Sequence, residues 1–118
     1  MPDMMTPAGD ITIQQCIGLC LDCHATCEAT VTHCIDRGGA HAELEHLTLL
    51  RDCAQICLTS AGFLLRGSGN LTLICEACAD VCERCAAACD GFELRDGVMT
   101  RCAQVCRDCA RSCIRVLH

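Results

Sequence analysis

The chain has no tryptophan or tyrosine, only two phenylalanines, Phe63 and Phe92, and only two prolines, Pro2 and Pro7. The shortage of aromatics removes any base-stacking surface, and no Lys or Arg cluster offers a patch for neutralising phosphates. Together with a formal net charge of −6, these absences argue against nucleic acid as a partner. No proline after Pro7 interrupts a helix, and no run of alternating β-branched residues gives a strand a foothold. No apolar stretch approaches membrane-spanning length, and the first ten residues have neither a basic n-region nor an apolar h-region. A cytosolic protein without membrane contact is expected. Ser/His/Asp constellations, Gly-rich phosphate loops and paired-carboxylate pockets are also missing, so no enzyme is expected.

Against these absences stand sixteen cysteines in 118 residues. Cys16, Cys20, Cys23, Cys27 and Cys34 step by 4, 3, 4 and 7. Cys75, Cys78, Cys82, Cys85 and Cys89 step by 3, 4, 3 and 4, and Cys102, Cys106, Cys109 and Cys113 by 4, 3 and 4. Cys53 and Cys57 add one pair four apart. Intervals of three and four place thiols along one stripe of a helix, at the a/d positions where a bundle normally keeps Leu and Ile. Cysteine packed merely as a small apolar residue does not account for fourteen of them on three seams.

A 12.6 kDa chain is long enough for one core. Residues 1–9 read as a flexible N-terminal segment and residues 10–118 as an all-α domain. The first helix starts at Asp10 or Thr12, with Thr12-x-x-Gln15 as a capping box, and ends before Gly38-Gly39. The second runs from about Ala40 to Arg66. Gly67-Ser68-Gly69-Asn70 then supplies a C-terminal glycine and, in Asn70, a cap for a third helix from Leu71 to about Asp90. Gly91 stops that helix, and a link through Phe92 and Leu94 reaches Asp96, the cap of a fourth helix from about Gly97 to Val116. Four such helices with short links predict an antiparallel up-down-up-down four-helix bundle with a cysteine-lined core.

The second helix departs from the thiol pattern. Its seam reads Ala42, His46, Leu50, Cys53, Cys57, Ser60 and Leu64, while Leu44, Leu47, Ala54, Leu58, Ala61 and Leu65 form another stripe about 100° round. That second stripe serves either a subunit interface or a broad core-facing surface. The up-and-down trace gathers His33, Cys34, His41, His46, Cys89, Met99 and Cys102 at one end, a mouth for a soft cation. Ile13, Phe63, Leu64, Leu71, Ile74 and Leu117 gather at the other as an apolar plug.

In a reducing compartment this many cysteines point to metal rather than disulfides. Cβ atoms three or four apart on a helix lie about 5–6 Å from each other, too far for the roughly 3.5–4.5 Å of a disulfide. A thiolate–metal–thiolate bridge of two ~2.3 Å bonds fits better. Thiolate selects Cu(I), Zn(II) or iron–sulfur clusters. The Cys75–Cys89 run lacks the loop spacing and proline of a bacterial ferredoxin, and no turn residue makes a zinc knuckle of any C-x2-C pair. Four zinc ions on sixteen thiolates would leave about eight uncompensated charges in the core. Cu(I) bridged by thiolates approaches one ion per sulfur and leaves it neutral, and before loading the protonated thiols pack as small hydrophobes. A thiol–disulfide redox protein using Cys75-x2-Cys78 or Cys82-x2-Cys85 remains the alternative, without the βαβ context such motifs have, beside a zinc or iron–sulfur protein. A delivery chaperone would need one exposed two-cysteine site for exchange.

His46, one heptad before Cys53, reads equally as a ligand or as a satisfied core histidine. Met99 lies beside the mouth as a thioether for copper or as core filler. His33 and His41 lie off the seam and are expected in solvent, with metal ligation as the alternative reading, and His24 and His118 are expected at the surface. Asp22, Glu28, Glu76, Glu83 and Asp108 form the solvated face.

Repeated C-x3-C on four helices, from Cys16-x3-Cys20-x2-Cys23-x3-Cys27 through Asp52-Cys53-Ala54-Gln55-Ile56-Cys57 and Cys75–Cys89 to Cys102-Ala103-Gln104-Val105-Cys106-x2-Cys109-Ala110-x2-Cys113, resembles the cytosolic copper storage proteins. The resemblance covers the chain from Cys16 to Cys113. It implies that each C-x3-C pair chelates Cu(I), that neighbouring helices bridge many ions into clusters, and that the protein is a homo-oligomer, often a tetramer. Members often place histidines just before the first cysteine of the fourth helix, where Gly97-Val98-Met99-Thr100-Arg101 offers only Met99.

Overall fold

Four helices account for nearly all of residues 12–92 and 95–118, which a computed structural model of the chain describes. The expected flexible segment 1–9, the alternative cap Asp10 and the link residue Leu94 lie outside those residues. Helix α1 spans Ile13–Arg37, α2 Leu44–Arg66, α3 Leu71–Asp90 and α4 Gly97–Arg115. Each packs against its two neighbours in the ring α1–α2–α3–α4, which is the expected up-down-up-down bundle.

Local chemistry sets most of the boundaries. The Gln15 amide donates to Thr12 Oγ1 at 3.0 Å while Gln15 Oε1 accepts from the Thr12 amide at 2.9 Å, a complete capping box. At the end of α2, Gly67 takes left-handed φ 63° and the Ser68 amide reaches back to the Phe63 carbonyl at 3.1 Å, closing the last turn as only glycine does cheaply. Asp96 Oδ1 accepts from the Met99 amide and starts α4.

Two boundaries differ from expectation. Gly38 and Gly39, both at positive φ, break the chain into a one-turn 3-10 helix, Gly39–Ala42. Residue Glu43 is extended, so α2 begins at Leu44 rather than Ala40. Asn70 does not cap α3 with its side chain. The Asn70 amide instead donates to Ser68 Oγ at 3.0 Å, so the tight turn consumes the geometry a cap would need.

The core is the thiol seam itself. All sixteen cysteines are buried, and alanines 54, 61, 79, 86, 103 and 110 flank them. Small residues on facing stripes let the helices approach until sulfur meets sulfur. The α2 seam also turns inward: Leu50, Cys53, Cys57, Ser60 and Leu64 are buried. Its second stripe divides, with Ala54 and Ala61 in the core, Leu47 packed against it, and Leu44, Leu58 and Leu65 exposed. At the plug end, Ile17 and Leu64 are buried and Leu71, Ile74 and Leu117 pack against the core. Ile13 is a correction to the expected plug, since the first turn of α1 leaves it 46% exposed. The acidic residues Asp22, Glu28, Glu76 and Glu83 are exposed as expected. No described helix is long and apolar enough to cross a membrane.

Candidate metal centre

Antiparallel packing stacks the sulfurs in layers. Toward the plug, Cys75 stands among Cys16, Cys78 and Cys113. The next layer joins Cys20 and Cys113 (3.8 Å), Cys20 and Cys109 (3.8 Å), and Cys57 with Cys78, Cys82 and Cys109 at 3.9, 3.5 and 3.8 Å. At mid-bundle, Cys53 lies 3.7 Å from Cys82 and 3.9 Å from both Cys23 and Cys106. Beyond it, Cys27 meets Cys106 at 3.7 Å and Cys102 at 4.0 Å. Here α2 contributes no sulfur, because its seam residue one turn before Cys53 is Leu50.

These contacts assemble into overlapping groups of four sulfurs, each within 4.8 Å of one another. They include Cys20/Cys78/Cys109/Cys113, Cys57/Cys78/Cys82/Cys109, Cys23/Cys53/Cys57/Cys82, Cys23/Cys27/Cys53/Cys106 and Cys27/Cys85/Cys102/Cys106. Adjacent groups share corners, so one sulfur serves two sites. Three ~2.3 Å bonds in a plane hold their sulfurs about 4.0 Å apart, close to the observed spacing. All sixteen cysteines are free thiols.

Among the described residues no Arg is buried with these sulfurs, and hydrogen bonds between thiols divide the protons unevenly, lowering Cys16, Cys23, Cys53, Cys78 and Cys102 against the opposing effect of burial. Burial, with the nearby Cys102 and Asp96, pushes Cys34 up to about 11. Burial, then the neighbouring Cys16 and Cys78, pushes Cys75 up to about 11. Hydrogen bonds with Cys102 first, and burial after them, also raise Cys27 and Cys89. A soft cation that binds one of these protonated sulfurs replaces its proton.

At the end that holds Cys34 the sulfur column meets an imidazole and a thioether. His46 Nε2 is 3.5 Å from Cys34 Sγ, and the Cys34 thiol points at Met99 Sδ at 3.7 Å. Met99 is fully buried. Burial, aided by His41, lowers the His46 pKa and keeps its ring neutral with a free nitrogen lone pair. The Phe92 ring lies 4.8 Å from the His46 ring and 4.1 Å from that of His41. A cleft of about 360 Å³ has Glu43, Glu45, His46 and Phe92 in its wall.

Three histidines sit otherwise than expected. His33 and His41 are half-buried rather than free in solvent: both donate through Nε2 to Asp96 Oδ2, at 3.0 and 2.9 Å, with Arg37 3.6 Å away. Burial opposes the Asp96 charge, but hydrogen bonds from His33 and His41 and from the Met99 amide outweigh it and hold its pKa at about 2. The same carboxylate that caps α4 thus ties down α1 and the 3-10 helix. His24 is not a free surface residue either, since its Nδ1–H donates to the Ala54 carbonyl at 2.8 Å and links α1 to α2. Asp96 was legible in the sequence only as a cap; pairing it with His33 and His41 requires knowing that both interhelical links at one end meet. Ser112, whose Oγ donates to the Cys109 carbonyl at 2.8 Å and lies 3.4 Å from Cys16 Sγ, carries no sequence signal at all.

The chain shares 33% identity with the cysteine-rich protein YhjQ of Bacillus subtilis over 76 residues, 64% of this chain and 70% of that one. Its fold matches the crystal structure of the Nmul_A1745 protein from Nitrosospira multiformis with TM-score 0.82 and 40% identity, covering 90% of this chain and 96% of that one. It also matches the Cu(I)-bound copper storage protein BsCsp3 with TM-score 0.82 and 30% identity, over 89% and 97% of the two chains. The sequence profile of the copper storage proteins matches residues 10–118, the whole bundle with every cysteine, and the chain belongs to that family.

Proposed function

We propose that the protein stores Cu(I) in the cytosol as thiolate clusters, with all sixteen cysteines as ligands and no catalytic role. The observation that carries this reading is the corner-sharing of four-sulfur groups along a core in which, among the described residues, no Arg is buried. Isolated divalent sites would need separate tetrahedra, whereas shared sulfurs suit bridged monovalent ions. Each loading event exchanges a thiol proton for Cu(I), so the core stays neutral while it fills.

Copper enters at the end that holds Cys34, His46 and Met99. The cleft beside His46 carries Glu43 and Glu45 in its wall, the imidazole and thioether are the next donors inward, and the first sulfur follows within 3.7 Å. At the plug end, among the described residues, Ile17, Leu64 and their apolar neighbours cover the last sulfurs. The protein works as a homo-oligomer, for which the exposed Leu44, Leu58 and Leu65 on the outer face of α2 offer apolar surface; the tetrameric state rests on the family resemblance.

Titrating the reduced protein with Cu(I) against a chromophoric chelator tests the reading. Saturation is expected on the order of one Cu(I) per cysteine. Saturation near the roughly four ions of independent four-thiolate sites refutes it.

A further inference from the structure

Ser60 occupies the α2 seam one turn beyond Cys57, where the register of Cys53 and Cys57 would place another thiol. It is fully buried, and among the described residues its Oγ has no hydrogen-bond partner. A buried hydroxyl without a partner destabilises the state that contains it, and alanine would fill nearly the same volume without that penalty. The position therefore carries a group that the metal-free fold does not use.

The surroundings indicate when it is used. One turn on from Cys57 is the closed-end layer, where Cys75 stands among Cys16, Cys78 and Cys113. A second buried hydroxyl, Ser112 Oγ, already lies 3.4 Å from Cys16 Sγ. A protonated thiol is a weak acceptor, and a sulfur that has exchanged its proton for a metal ion keeps negative charge and accepts strongly. The far end of the sulfur column is built from imidazole and thioether instead, at His46 and Met99.

We propose that the Ser60 hydroxyl is a hydrogen-bond donor reserved for the metal-bound thiolates of the closed-end layer, so that this layer holds Cu(I) more tightly than the layers nearer Cys34 and releases it last. The inference rests on the storage reading above. Ser60 is a positioning residue: it binds no copper, and its donor favours the loaded sulfur over the protonated one. Because the donor is unsatisfied before loading and satisfied after it, the same hydroxyl lowers the stability of the empty protein and raises its hold on metal.

Ser60→Ala in the full chain separates the two effects. The metal-free variant is expected to melt at a higher temperature than the wild type, with Cu(I) capacity unchanged. The last ions removed by a chromophoric Cu(I) chelator are expected to come off about tenfold more easily, the scale of one charge-assisted hydrogen bond. A purely structural serine would shift the melting temperature alone. A metal-free variant that melts at or below the wild-type temperature, or a last fraction of copper retained as in the wild type, overturns the inference. Low capacity in the wild type itself would instead overturn the storage reading, and that is seen before the variant is compared.

Discussion

Cys34 points its thiol at the Met99 sulfur 3.7 Å away, and the His46 nitrogen stands 3.5 Å from the same thiol. The topmost sulfur of the column is thus paired with two donors that are not thiols, on two other helices. On the proposed entry route such a pair acts on passage rather than on capacity. Met99→Leu with His46→Ala is expected to slow both Cu(I) loading and removal while leaving the number of ions bound nearly unchanged, as read by stopped-flow and by titration. Met99→Leu keeps core volume, so its stability cost stays below about 1.5 kcal/mol. At the plug end, Leu64→Ala is expected to lower stability by about 2–5 kcal/mol through a cavity without slowing loading. Unchanged kinetics in the double variant would place the doorway elsewhere.

Asp96 joins three segments at the end that holds Cys34 through His33, His41 and the α4 amide of Met99. Asp96→Ala removes the cap and leaves two histidines without their acceptor, and is expected to cost about 1–3 kcal/mol in chemical denaturation of the metal-free protein. The folded-state pKa of about 2 lies below the ordinary carboxylate value. The folded state therefore binds fewer protons than the unfolded one, and the stabilisation, complete above about pH 4, is lost as pH falls through about 2. The acid limb of the wild type should be steeper than that of Asp96→Ala over that window.

The thiol seams were legible because cysteine at intervals of three and four has one geometric meaning, and the boundaries of α3 and α4 because Gly67, Gly91 and Asp96 bracket them unambiguously. The start of α2 was not, since Gly38-Gly39 marks a break but not the single 3-10 turn that follows it. The histidines were misread for a different reason. His33 and His41 lie off the heptad seam, and a seam argument sends such residues to solvent; their acceptor, Asp96, is more than fifty residues away in sequence and becomes visible only when both links at one end converge. Ser60 is legible as a seam residue, but nothing in a sequence shows that a hydroxyl lacks a partner.

The Thr12 capping box, the Gly67 closure and the Asp96 cap set helix ends without any help from metal. Protonated thiols and alanines fill the core between the helices. The reduced, metal-free protein is therefore expected to be strongly helical, with little change in far-UV circular dichroism on loading. A metal-free chain without helical signal would show that copper builds the bundle, as metal does in zinc fingers.

Alkali offers the sharpest contrast between the empty and the loaded core. Cys34 and Cys75 are both pushed up to about 11 by burial and by the neighbouring sulfurs, whereas a thiol in the unfolded chain titrates near 8.5. Between those values the folded state binds more protons than the unfolded state, so stability is fully present below about pH 8.5 and declines as pH rises toward about 11. The thermal midpoint of the metal-free protein is expected to fall across that window. The loaded protein has already exchanged its thiol protons for Cu(I), and neither folded state nor released proton count should change there. Its midpoint should stay level, and the difference between the two curves should widen with pH. A metal-free midpoint that is flat from pH 8 to 11 would mean that the buried thiols are ionised before loading, and the neutral core on which the storage argument depends would have to be abandoned.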